Sequence, residues 1–253
     1  MNSEHIEISG HRGCRRPEIE NTAAAFQYCI DNNIDWVEFD VKTTQDNEVV
    51  IFHDKSVKRL LSGKGNIESL TLEELRRMKY EDGQGIQTLE EFFTQIHGKT
   101  KPMLEIKSRG IGSAVIKLVR KFEMAPENLI IQSFVGKDIL ECYAIAPEYQ
   151  YGKCISVHGN IGILGKLGRM QSWIAEKMYK RIVEPFPIDW LNIDGPFAYD
   201  EFMRLCTDDG KKIILGAMTP ESYFKKLADW DVRIINSDTP VATRKRLQEF
   251  LEK

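Results

Sequence analysis

Residues 35–54 read DWVEFDVKTTQDNEVVIFHD, and the fold of the whole chain turns on how this stretch is taken. Its first part, DWVEFDV, is an apolar run interrupted at alternate places by two carboxylates, Glu38 and Asp40. Strand side chains alternate between faces, so both acids point to the same side of a run that otherwise reads as a buried strand. Two neighbouring buried carboxylates repel unless a cation or a basic group sits between them. Alone, the pair suits a salt-bridged or solvent-facing strand end better than a site. Asp46 and Asn47 supply turn chemistry. EVVIF follows as a second strand, with His53 and Asp54 at its end.

Outward from this stretch, short β-branched or apolar runs alternate with amphipathic ones. Strands are expected at HIEIS before it, and at PMLEIK, NLIIQS, YQYGKCI, DWLNID, KKIILGA and VRIINS after it. Helical patterns cover 22–33, 89–97, 112–123, 135–146, 165–183, 199–208, 220–229 and 240–252. Strand–helix alternation over the full length argues for an α/β fold with a parallel sheet. Eight such units in about 250 residues is the arithmetic of a (β/α)8 TIM barrel. A doubly wound open sheet is the main alternative. Residues 55–87 break the alternation with two glycine-rich turns and a short helix opened by a capping box, Thr71 with Glu74. They are expected to form a small insertion over one barrel mouth, within a single domain spanning 1–253.

Bulk properties set the outer bounds. The net charge is −3 and the basic residues are scattered, which argues against a general nucleic-acid binder. No apolar stretch approaches the roughly 18 residues that span a bilayer, so no stable membrane insertion is expected. The first residues, MNSEHIEISG, lack a basic-then-apolar leader pattern. Five widely spaced cysteines without a C-x-x-C fit reduced thiols and a cytoplasmic protein better than a disulfide framework.

Chemistry gathers at strand ends. PMLEIK places Glu105 and Lys107 two apart, adding a third carboxylate and a cation to the interior of Glu38 and Asp40. Oxygen ligands of this kind suit a hard divalent cation such as Mg²⁺ or Ca²⁺. His11 ends the first strand and His53 the EVVIF strand. In a barrel of this type, functional groups sit at the C-terminal ends of strands. Arg12 offers a planar fork suited to phosphate, and Gly13 permits a tight turn. Asn21 reads as the N-cap of the helix beginning at Thr22, with Glu20 placed to support the site. His158, in the loop SVHGN, is a weaker candidate, and His5 and His97 read as surface residues. GRMQSWIAEKMYKRIV reads as an outer barrel helix in preference to a membrane-surface one. Cys14 adjoins the site, but no His–Cys spacing supports a thiol nucleophile. No glycine-rich phosphate loop of the dinucleotide or Walker type is present.

Taken together, HRG…ENT, VEFDVKTTQDNEVVIFHD, SLTLEEL, IQTLEEF, LEIK and IIQSF resemble the glycerophosphodiester phosphodiesterase family. The resemblance covers nearly the whole chain and is dense up to about Phe134. It implies a (β/α)8 barrel with a small insertion after the H-D strand. It also implies His11 and His53 as the acid–base pair, Glu38, Asp40 and Glu105 as ligands of one divalent cation, and Arg12 and Lys107 on the phosphate. The implied reaction is hydrolysis of a glycerophosphodiester to glycerol 3-phosphate and an alcohol, with water or a substrate hydroxyl as nucleophile. Towards the C-terminus the pattern departs. Where the family carries a tryptophan-containing segment on its seventh strand, this chain reads LGAMT, with Gly216, Ala217, Met218 and Thr219. The closing NSDTP is retained. Loss of that wall leaves the headgroup open, with Trp190, Phe197 or Tyr199 as replacements. The alternatives are another phosphodiester such as a lysophospholipid headgroup, cyclisation, or a non-catalytic barrel that binds a phosphodiester. An amidohydrolase-type barrel would want H-x-H on its first strand, which is absent. The partner expected is a small molecule, and nothing in the sequence speaks to oligomeric state.

Overall fold

The structure of the protein is a computed structural model that describes residues 6–156, 172–194, 198–216 and 221–252. Its strands are β1 (Glu7–Gly10), β2 (Trp36–Thr43), β3 (Val49–Ile51), β4 (Lys101–Ile106) and β5 (Ile130–Ser133), then β6 (Gln150–Ile155), β7 (Trp190–Ile193), β8 (Lys212–Leu215) and β9 (Val232–Ser237). All except β3 run parallel in one continuous order, and β1 pairs with both β2 and β9. That double pairing closes an eight-stranded parallel barrel. The open doubly wound sheet is thereby excluded.

Helices surround it: α1 (Ala23–Asp31), α2 (Leu72–Arg77), α3 (Leu89–Ile96), α4 (Gly112–Lys121), α5 (Gly136–Ile145), α6 (Ser172–Ile182), α7 (Asp200–Asp208) and α8 (Pro240–Leu251). Local chemistry sets several starts. Thr71 with Glu74 and Thr88 with Glu91 form complete capping boxes at α2 and α3, so orphan amide donors are satisfied reciprocally. Between β8 and β9, the expected helix at 220–229 is instead a 3₁₀ run over Glu221–Lys226. The first part of the 165–183 pattern lies outside the described residues.

Strand alternation sorts the barrel into layers. Outward-facing residues such as Ile8, Val37, Phe39, Leu104, Ile131, Tyr151 and Leu191 join the helices in the main core. Inward, Trp36, Met103, Ile130, Trp190, Ile214 and Ile234 form an apolar layer that plugs the lower barrel. Two residues further along the same strands, the inward positions become polar: Glu38, Glu105, Gln132, Asn192 and Asn236. Trp190 is therefore part of the plug and donates Nε1 to Gln150 at 2.9 Å. It is no wall of the mouth. Phe39 is fully buried, its ring 4.0 Å from that of Phe92 and 6.3 Å from that of Phe26. Phe39→Ala is expected to cost about 3–5 kcal/mol of stability, read as a shift in the urea midpoint at unchanged slope.

One strand departs from the barrel pattern. β3 runs antiparallel to β2, with Val41 opposite Ile51 and Thr43 opposite Val49. The connection through Thr44–Glu48 is a tight turn closed by Thr44 N→Glu48 O at 2.9 Å, with Asn47 at φ 64. So short a link allows only an antiparallel return, since a parallel neighbour needs a crossover of a dozen residues or more. His53 thus reaches the mouth on a returning hairpin and not on a barrel strand. Val49 and Ile51 face the main core. Val50 and Phe52 face a separate cluster with Val57, Leu61, Ile67, Leu75, Tyr80 and Ile86. β3 therefore fastens the 55–87 segment to the barrel.

Candidate active site

The first βα-loop is shaped by its backbone. Gly13 sits at φ +80, and a Cβ there would lie 2.8 Å from Ala25 Cβ, so the turn out of β1 requires glycine. Thr22, not Asn21, caps α1, its hydroxyl accepting from Ala25 N at 3.3 Å. Asn21 is diverted to the barrel interior. Its Nδ2 donates to Asp40 Oδ2 at 2.8 Å, and its Oδ1 accepts from Asp40 N at 3.3 Å.

A cavity of about 640 Å³ opens at the C-terminal ends of the barrel strands. His11, Arg12, Glu38, His53, Glu105 and Lys107 all line it. Asp40 lies beneath them, 3.4 Å from both Arg12 Nε and Lys107 Nζ. The seven residues singled out in the sequence are thus brought together. His158 and His5 lie outside the described residues, as do Phe197, Ala217, Met218 and Thr219. His97 is exposed at the end of α3.

Glu38, Asp40 and Glu105 are all buried, and each offers an oxygen within 4.8 Å of the others. Asp40 Oδ1 and Glu105 Oε1 are buried without completing a hydrogen bond, although Lys107 Nζ lies 2.5 Å from Glu105 Oε1. Lys107 is close enough to neutralise charge there but is poorly aimed as a donor. Three converging hard oxygens, with an oxygen on each of Asp40 and Glu105 left without a hydrogen bond, could hold one metal ion.

The three acids are not electrically equivalent. Burial, then the neighbouring Asp40 and Glu105, pushes Glu38 well above the usual carboxylate range. Burial also lifts Glu105, to about 7, against the opposing pull of Lys107. Burial disfavours ionised Asp40 too, yet Lys107 and Arg12 override it and hold this carboxyl below its usual value. Asp40 consequently carries the charge that the two cations balance.

Both histidines are held at Nδ1 by a carboxylate. His11 Nδ1 lies 2.6 Å from Asp238 Oδ1, and His53 Nδ1 lies 2.7 Å from Asp54 Oδ1. A ring anchored at Nδ1 turns its Nε2 the other way, and both rings line the cavity. Burial in the first place, with the charges of Arg12 and Lys107, holds His53 below the usual imidazole value. The anchoring aspartates were not singled out in the sequence. For Asp54 the adjacent H-D pair was a signal, while Asp238 lies 227 residues from its partner, inside the closing NSDTP. Phe134 was also missed. It lines the cavity 38% exposed, with Lys107 Nζ 5.0 Å from its ring centroid.

The seventh barrel strand, β8, is followed by Gly216, which lines the cavity. A Cβ there would come 2.2 Å from Asp194 Oδ1, so a side chain at 216 requires Asp194 to shift. Tyr199 packs against the main core and is not among the cavity's lining residues.

Comparison with known proteins matches residues 11–159 to the glycerophosphoryl diester phosphodiesterase family. A glycerophosphodiester phosphodiesterase of Caldanaerobacter subterraneus is 28% identical over 92% of this chain and 94% of its own. A lysophospholipase D of Mus musculus is 25% identical over 96% of this chain and 82% of its own. Among solved structures, an Oleispira antarctica phosphodiesterase in complex with the product sn-glycerol-3-phosphate superposes with a TM-score of 0.78. It is 23% identical, covering 98% of this chain and 97% of that one.

Proposed function

The chain belongs to the glycerophosphoryl diester phosphodiesterase family, a family of phosphoric diester hydrolases, and we propose that it hydrolyses a glycerophosphodiester to glycerol 3-phosphate and an alcohol. The observation that carries this reading is one cavity lined by two aspartate-held imidazoles beside three clustered carboxylates and two cations. Glu38, Asp40 and Glu105 would hold a single Mg²⁺ or Ca²⁺. When bound, such an ion supplies Lewis-acid polarisation of a phosphoryl oxygen.

Everything else falls to side chains of this protein. Arg12, braced by Glu20 at 2.7 Å, and Lys107 offset the charge that builds on phosphorus. His53, kept neutral by its surroundings, takes a proton from the nucleophile at Nε2. His11 delivers a proton from Nε2 to the departing alkoxide, a poor leaving group without it. The 55–87 segment acts as a small subdomain at one side of the mouth within a single functional unit. Five buried free cysteines agree with work in the cytoplasm. Among the described residues no helix is long and apolar enough to cross a membrane.

Incubation with glycerophosphocholine and Mg²⁺ or Ca²⁺, followed by phosphorus NMR, tests the reading. Glycerol 3-phosphate is the expected product, and a cyclic phosphate would identify a substrate hydroxyl as the nucleophile. Binding without turnover at every metal concentration would overturn the assignment and leave a phosphodiester-binding barrel. A second reading, cleavage of a lysophospholipid headgroup, is favoured by the apolar side of the cavity at Phe134 and Ile155. Conversion of lysophosphatidylcholine to lysophosphatidic acid in the same assay would support it.

A further inference from the structure

Glu20 is a carboxylate only 4% exposed in the loop between β1 and α1, and three arginines converge on it. Arg12 Nη1 lies 2.7 Å and Arg59 Nη2 2.6 Å from its Oε1, and Arg15 Nε lies 3.0 Å from its Oε2. Two of those arginines continue to the aspartates behind the histidines. Arg59 Nε is 2.5 Å from Asp54 Oδ2, the oxygen that His53 does not use. Arg15 Nη1 is 3.5 Å from Asp238 Oδ2, the oxygen that His11 does not use. Two chains of alternating charge therefore start at one buried acid and end at the two imidazoles. Glu20, Asp54 and Asp238 face Arg15 and Arg59, with Arg12 shared between Glu20 and Asp40.

The arrangement has a chemical consequence for the rings. An imidazole whose Nδ1–H is bonded to a carboxylate is fixed both in orientation and in the tautomer that leaves Nε2 free. An aspartate gripped only by the histidine could rotate away, but here each is gripped on its other oxygen by an arginine. Both arginines take their position from Glu20. Arg59 belongs to the 55–87 segment, and Asp238 follows the last barrel strand, so Glu20 ties together side chains from parts of the chain far apart in sequence.

We propose that Glu20 is a positioning residue common to both histidines, holding the Nδ1 proton of His53 through Arg59 and Asp54, and that of His11 through Arg15 and Asp238. The inference rests on the acid–base roles given to the two rings above. Its test reads ring protonation directly, without turnover.

The experiment is ring nitrogen-15 NMR of the full chain labelled at histidine, with the rings neutral, in wild type and in Glu20→Gln, Arg59→Gln and Arg15→Gln. Wild type should show His11 and His53 as Nδ1–H tautomers. Glu20→Gln should move both rings towards the Nε2–H form and lower kcat about 10–100-fold, the scale of a small misplacement of reacting groups. Glu20→Asp should recover part of that loss. Arg59→Gln should move only His53, and Arg15→Gln only His11. A buried acid with a merely structural role would lower the melting temperature and leave both ring signatures unchanged. That result, or a Glu20→Gln protein in which only one ring moves, overturns the proposal. Should Glu20→Gln fail to fold, the two arginine variants, at side chains 44% and 33% exposed, decide it alone. Unmoved rings in both would refute it. Ring shifts as expected in a protein that cleaves no diester would keep Glu20's role and remove the acid–base reading instead.

Discussion

His53→Ala is expected to lower kcat by about 10²–10⁴-fold, the usual contribution of a positioned general acid or base, with His11→Ala falling in the same range. The two losses should not multiply in the double variant, because the groups serve one proton inventory in a single step. Both side chains are partly solvent-exposed at the mouth, His11 at 17% and His53 at 29%. Neither packs in the apolar core, so melting temperatures should stay close to wild type. Steady-state kinetics with glycerophosphocholine, alongside thermal melts, provide the check. Retention of full activity in either single variant would remove that histidine from proton transfer.

The second large effect concerns the divalent cation. Lewis-acid stabilisation is worth several kcal/mol, so chelation with EDTA should lower turnover by about 10³-fold, and added Mg²⁺ or Ca²⁺ should restore it. Protons compete with the ion for the same oxygens. Burial raises both acids, Glu105 to about 7, so Glu105 is largely protonated in mildly acidic solution without the ion, and Glu38 is shifted in the same direction. Binding must expel those protons, and affinity therefore weakens as pH falls through about 7. Calorimetric titration in buffers of different ionisation enthalpy should show net proton release. An affinity flat between pH 5.5 and 8 would contradict it. Glu38→Gln separates ion binding from folding, since glutamine copies the shape of a protonated glutamate. That variant should fold as wild type and lose ion affinity.

How much of this was legible beforehand follows from the range of the interactions. Glu38 with Asp40 and Glu105 with Lys107 each lie two apart on one strand, and alternation alone aims each pair to one side, which the barrel makes the inside. The barrel is equally legible, because its strand–helix rhythm is repeated locally from end to end. Less legible was anything that depends on closure. Asp238 meets His11 only because β9 returns to β1, a pairing that no local pattern encodes. Asn21 misleads for a related reason. Its residue type suits a helix cap, but the proximity of Asp40 gives its amide two better partners and leaves the cap to Thr22. His53 was placed at the right mouth without its strand being told apart, since EVVIF looks the same in a barrel stave and in a hairpin return. That LGAMT carries no aromatic residue was visible in the sequence. That a Cβ at Gly216 would meet Asp194 Oδ1 was not.

The apolar layer of Trp36, Met103, Ile130, Trp190, Ile214 and Ile234 has a bearing on traffic as well as on stability. It stoppers the barrel below the carboxylates, so the cavity above it is a cul-de-sac and not a corridor. Among the described residues the plug leaves no way out through the floor, so whatever is cleaved there departs on the mouth side. The two halves of a split diester would thus leave in turn past the same rim of Phe134, His11 and His53, and a lingering phosphate would bar the next arrival.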